Sequence, residues 1–198
     1  MKSKINIFLL PFLLITILVV SGCNSNTGSS ASASDSYAEL LKSLHQDGGF
    51  VFEGQPWFSS RNDVAEQQKI EDSKDTDFLK SEGVFALEKG SLTKITLFRF
   101  SDEKLVSGEY LFTTDDKELF AQFVNSLKTE LAGDFPKPRS IDLNALVADD
   151  SAQGNSVLWE GEDNSRLSIT ILGKQDTEST YNLLIKSSSP LARKELAP

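Results

Sequence analysis

Gly83-Val-Phe-Ala-Leu87, Leu92-Thr-Lys-Ile-Thr-Leu-Phe-Arg-Phe100 and Leu105-Val-Ser-Gly-Glu-Tyr-Leu-Phe112 follow one another with only Glu88-Lys-Gly-Ser91 and Ser101-Asp-Glu-Lys104 between them. Runs rich in β-branched and aromatic residues, joined by short polar connections, read as consecutive antiparallel strands. In the middle run Thr96, Phe98 and Phe100 alternate with Ile95, Leu97 and Arg99. Apolar groups stand on both of its faces, which predicts a central strand with cover on each side.

Downstream, Leu119, Phe120, Phe123, Val124, Leu127 and Leu131 recur at three- and four-residue steps and predict a helix over 116–131. Asp115 and Glu118 are spaced as a capping pair, Gly133 ends the helix, and Pro136 and Pro138 forbid its resumption. Strands then return: an edge strand over 140–147, a hairpin of 156–160 and 166–172 turning at Gly161-Glu-Asp-Asn-Ser165, and 181–187 closing the sheet. Upstream, Ser36-Tyr-Ala-Glu39 has the form of a capping box, Tyr37, Leu40, Leu41 and Leu44 share one helical face, and Gly48 and Gly49 stop that helix. Phe50-Val-Phe52 reads as a short strand, Glu53-Gly-Gln-Pro56 as a turn, and Ser59 or Ser60 opens a second helix over 62–69 with Asp63 as its capping partner. The acidic residues 71–77 read as a solvated linker.

Strands in runs with few helices between them define an α+β class: an antiparallel β-sheet with two or three helices packed on one face. The order helix, three strands, helix, three or four strands allows a diverged internal duplication, although no residue-level repeat accompanies it. One domain is expected over 36–190, with 191–198 as a C-terminal tail.

The N-terminus is of another kind. Met1-Lys-Ser-Lys4 is basic, and residues 5–20 are apolar apart from Asn6, Pro11 and Thr16, the layout of a secretory signal peptide. A membrane-spanning helix needs about 20 predominantly apolar residues, and this run is shorter and broken by proline. It ends at Val20-Ser21-Gly22-Cys23, which resembles the lipobox of bacterial lipoproteins. The resemblance implies removal of 1–22, acylation of the Cys23 thiol, and a protein facing outside the cytoplasm on the cell membrane, or on the outer membrane if the host has one. Two or more acyl chains anchor stably where one anchors only marginally. Residues 24–35, NSNTGSSASASD, form a Ser-rich tether with a root-mean-square reach of about 20 Å. Cys23 is the one cysteine, so the fold has no internal disulfide and holds by its core. Further on, Phe52-Glu-Gly-Gln-Pro-Trp57-Phe-Ser-Ser-Arg-Asn-Asp-Val64 is similar to the opening of a loosely defined set of small exported bacterial α+β proteins, whose strand, Gly-x-x-Trp turn and short helix precede an antiparallel sheet; Phe58 stands where those proteins have glycine.

The chain carries a net charge of −9, which becomes −11 when Lys2 and Lys4 leave with the signal peptide. Such a surface repels nucleic acid and anionic headgroups, so no nucleic-acid partner is expected and the membrane is held through lipid alone. Catalytic signatures are missing: there is no Gly-x-Ser-x-Gly, no Gly-rich phosphate loop and no His-Glu-x-x-His. His45, the single histidine, falls in the last turn of the first predicted helix, where its cation suits the helix dipole. Asp149, Ser151, Gln153, Gly154 and Glu160 match the ligand spacing of a calcium loop, but glutamine is poor at the fifth position and the flanks read as strand, so neither a metal nor a cofactor is expected. Trp57 and Trp159 are either core anchors or the lining of a small-ligand cavity beneath the sheet. The expectation is a non-catalytic binding or scaffolding lipoprotein with a protein partner in the cell envelope. A small-ligand-binding lipoprotein is the alternative, and a hydrolase using carboxylates paired in space comes third.

Overall fold

The computed structural model describes residues 33–73, 75–139, 142–148, 153–174 and 180–190. Cys23, the lipobox, most of the calcium-like spacing and the C-terminal tail lie outside the described residues. In chain order the elements are α1 (Ala33–Lys42), β1 (His45–Gln46), β2 (Gly49–Phe50), α2 (Arg61–Gln68), β3 (Phe78–Leu87), β4 (Gly90–Ser101), β5 (Lys104–Thr114), α3 (Lys117–Leu131), a 3-10 turn at Leu143–Ala145, β6 (Ser156–Glu160), β7 (Arg166–Lys174) and β8 (Tyr181–Ser188). The class is α+β, with a six-stranded antiparallel sheet ordered β3-β4-β5-β8-β7-β6 beside a two-stranded one.

Alternation along the strands decides which face is the core. Leu79, Phe85 and Leu87 on β3, Leu92, Thr96 and Phe98 on β4, Tyr110 and Phe112 on β5, Leu183 and Ile185 on β8, Leu167, Ile169 and Ile171 on β7, and Val157 and Trp159 on β6 are all buried, and the register sets them on one side. Against that inner face lie α1 and α3. Tyr37 meets the ring of Phe85 edge-on at 5.1 Å and stacks on Phe123 at 5.9 Å, while Phe123 packs on Phe112 at 4.7 Å. The buried stripe Phe120, Phe123, Val124, Leu127, Leu131 makes α3 the main cover. Its N-cap is Asp116, whose carboxylate accepts from the backbone N–H of Glu118 and Leu119, so Asp116 alone does the capping expected of Asp115 and Glu118 together.

Several expectations are corrected. The first helix begins by Ala33, inside the stretch expected to be tether, and Ser36 lies within it, so no capping box forms there. It ends at Lys42 because Asp47 and Gly48, with φ of 51° and 79°, make a tight turn that folds 45–50 into the β1/β2 hairpin. The segment expected as an edge strand over 140–147 contains the 3-10 turn, which Asp142 caps by accepting from the N–H of Asn144. Residues 71–73 and 75–77 are not simply solvated: the Arg61 guanidinium grips Asp72 at 2.7 Å with both side chains nearly buried, and donates to the carbonyls of Thr76 and Phe78. The last described strand completes the sheet as expected, but from its middle. It enters the middle, because α3 carries the chain across to the far edge and β6 and β7 then lead back to β5. Finally, no described element covers β4 on its outer side, where Ile95, Leu97, Leu111 and Leu184 are half-buried.

The second helix matches its expectation to within a residue, with Ser60 accepting from the Asp63 N–H. It is tied to the β4–β5 turn through Phe58 N–H to Leu105 O and Arg61 N–H to Glu103 O. Each half of the sheet is a helix followed by a three-stranded meander, and the halves meet at β5 and β8.

Candidate functional site

Two places gather chemistry: a cleft on the inner side and the open outer face. The cleft, of about 290 Å³, lies where α1 passes the mouth of the sheet and is lined by Ser36, Glu39, Ser43, Glu53, Lys94 and Tyr110 among others. Lys94 is in phase with Leu92, Thr96 and Phe98 and therefore emerges on the core side of β4, where its ammonium sits 4.8 Å over the Tyr110 ring and 3.5 Å from a Glu53 carboxylate oxygen. Burial pushes the Tyr110 phenol well above its ordinary value, and the charge of Glu53 adds to the shift. The Ser43 hydroxyl lies 2.7 Å from the Leu40 carbonyl, to which it donates, and shares a 2.9 Å hydrogen bond with the Tyr110 hydroxyl, which also meets the Glu53 carboxylate. These contacts tie α1 to the sheet and engage the lysine with a carboxylate.

The outer face is built from the alternate residues of all six strands. Register sets Ile95, Leu111 and Leu184 in one row across β4, β5 and β8. One step along the strands, Glu109 pairs across to Lys186, and Arg99 reaches it from β4, at 3.0 and 3.1 Å. At the far edge Glu160 lies between Arg139 and Arg166. The acids are sunk and the bases stand proud: Glu109 and Glu160 are 10% and 13% exposed, Arg99, Lys186 and Arg166 are 39%, 41% and 38%, and Arg139 is 68%. Burial pushes the Glu109 carboxyl up, but the hydrogen bonds and charges of Arg99 and Lys186 outweigh it and hold the group below the usual carboxylate range.

The two tryptophans are not brought together at either place. Trp159 is buried on the inner face of β6, its indole N–H donating to the Pro136 carbonyl at 2.7 Å and its ring meeting Phe135 edge-on. Trp57 is half-buried after the Glu53-Gly54 turn and donates to the Phe50 carbonyl at 2.7 Å. Neither lines the cleft beside α1. His45 is displaced from its expected helix end to β1, between the rings of Phe50 and Phe135 at 5.5 and 5.7 Å. Among the described residues, no three His, Cys, Asp or Glu side chains group as metal ligands, and no helix is long and apolar enough to cross a membrane. Sequence reading missed Lys94, Ser43 and Tyr110 as a group. Its available signal was the lysine in phase with Leu92 and Phe98.

Compared with protein-family models, curated proteins and solved structures, the chain matches none. Its class rests on its own architecture: an α+β domain whose antiparallel sheet is covered by helices on one face.

Proposed function

We propose that the protein is a lipid-anchored lipoprotein of the bacterial cell envelope, facing outside the cytoplasm, that works as a non-catalytic binding or scaffolding module and presents the outer face of its sheet to a protein partner. The observation that supports the partner is the row Ile95, Leu111, Leu184, three large aliphatic side chains in register, each only half-buried, on a face that the described elements leave open. The anchor draws its support from Val20-Ser21-Gly22-Cys23 and from the Ser-rich residues after it.

The test is crosslinking of the full chain in its own cells, with a photoreactive residue in place of Leu184 and with Cys23→Ser as control. The expected result is one dominant envelope protein captured from the membrane fraction, with the Cys23→Ser chain unprocessed or released and the capture lost. Normal processing and membrane attachment of Cys23→Ser would remove the lipid anchor, and absence of any captured protein would remove the partner.

A further inference from the structure

We infer that the partner segment docking on the outer sheet face is acidic: apolar anchors seat on Ile95, Leu111 and Leu184, and carboxylates lie over the basic band formed by Arg99, Lys186, Arg166 and Arg139. This rests on the proposal that the outer face binds a protein, and adds the chemistry of what it binds.

The band follows from strand register. Lys186 lies two residues along β8 from Leu184, about 7 Å from the apolar row, and Arg99 and Arg166 stand one further step away, about 13 Å. From β4 to β7 the band crosses four adjacent strands, about 14 Å, and Arg139 extends it at the β6 edge, where its backbone N–H donates to the Leu158 carbonyl. Four bases stand over two sunken acids, Glu109 and Glu160, each held by two of them, with the exposed Asp77 beside Arg99 as a third. The bases outnumber the acids, and the cationic ends are the more exposed members, so the band keeps a net positive charge at the surface. On a chain whose net charge is −9 this is a local reversal of sign. An arriving carboxylate would accept the donor N–H groups that the guanidinium forks and the ammonium still turn toward solvent. Overall charge weighs against an anionic bilayer as the occupant, since the rest of the acidic surface would be carried toward it as well. A protein segment needs to match only the band.

The experiment uses the full chain in its own cells with the photoreactive residue at Leu184 or, in a second variant, at Thr93 in the neighbouring row. The captured segment is identified by mass spectrometry, then synthesised and titrated against the purified domain. The proposal expects carboxylates beside large apolar residues in that segment. It also expects binding about tenfold weaker for Lys186→Gln/Arg166→Gln, and a similar loss when the segment's carboxylates are made amides. Lys186→Gln keeps a hydrogen-bond donor for Glu109, and Arg166→Gln alone provides a milder variant if the pair unfolds. A captured segment without acidic residues, an affinity unmoved by both sets of changes, capture of a second copy of this chain, or binding to vesicles containing 30% phosphatidylglycerol that the double substitution abolishes would each overturn the inference. The first two outcomes leave a protein partner standing; only failure to capture any protein removes the reading beneath it.

Discussion

At Gly108 the missing side chain is what lets Phe52 lie on the sheet. Gly108 sits on the inner face of β5 opposite Phe98, and a β-carbon built there would come within 2.0 Å of two Phe52 ring carbons. That ring in turn meets Phe98 at 5.1 Å and Tyr110 at 4.5 Å, so it has no room to retreat. Gly108→Ala should therefore cost about 3 kcal/mol and lower the urea midpoint by about 1 M or more; a midpoint equal to the parent's would mean that Phe52 can leave its site freely. One residue on, Glu109 faces the opposite way and makes a pH-dependent contribution. Its carboxyl is held lower in the folded chain than in the unfolded one, so its stabilisation is present above the unfolded value and is lost as pH falls through the folded one. Compared with Glu109→Gln, the natural protein should be about 2 kcal/mol more stable at pH 7, and the gap should shrink as pH falls below about 4. Denaturation curves at pH 7, 5 and 3.5 read this directly, and a gap constant across that range would assign the stabilisation to shape instead of charge.

At the scale of elements, what was legible depended on whether the signal was local. The helix α3 and the strands β4 and β5 announce themselves by period, and the cap at Ser60 by its spacing to Asp63. The first half of β3 does not: Lys80, Ser81 and Glu82 have little strand preference, and it is pairing with β4 that draws them into the ladder. The β1/β2 hairpin was overlooked although Asp47-Gly48 is a strong turn dipeptide, because the apolar spacing of Tyr37, Leu40, Leu41 and Leu44 runs up to it and reads as one longer helix. His45 was misplaced with it. The cleft could not be read at all, since Ser43, Lys94 and Tyr110 belong to three elements that only the fold brings together. The outer face is hard to read for a related reason: aliphatic residues on both sides of β4 signal burial on both sides in a lone domain, whereas Ile95 and Leu97 are only half-buried here.

For the whole molecule, the position of β8 sets the order of events. The final strand in sequence is one of the two in the middle of the sheet, and α3 together with two further strands separates it from its neighbour β5. A chain ending at Thr180 retains the β3-β4-β5 meander and the β6-β7 hairpin with bare inner edges, and should show neither the near-ultraviolet circular dichroism nor the dispersed amide resonances of a folded domain; a native spectrum from that truncation would mean that the sheet does not need β8 to hold. Contacts between parts so distant in sequence form slowly. A ribosome making this protein thus releases no finished sheet until β8 has emerged. If the chain is threaded through a membrane during that interval, it reaches the far side before it has had the means to fold.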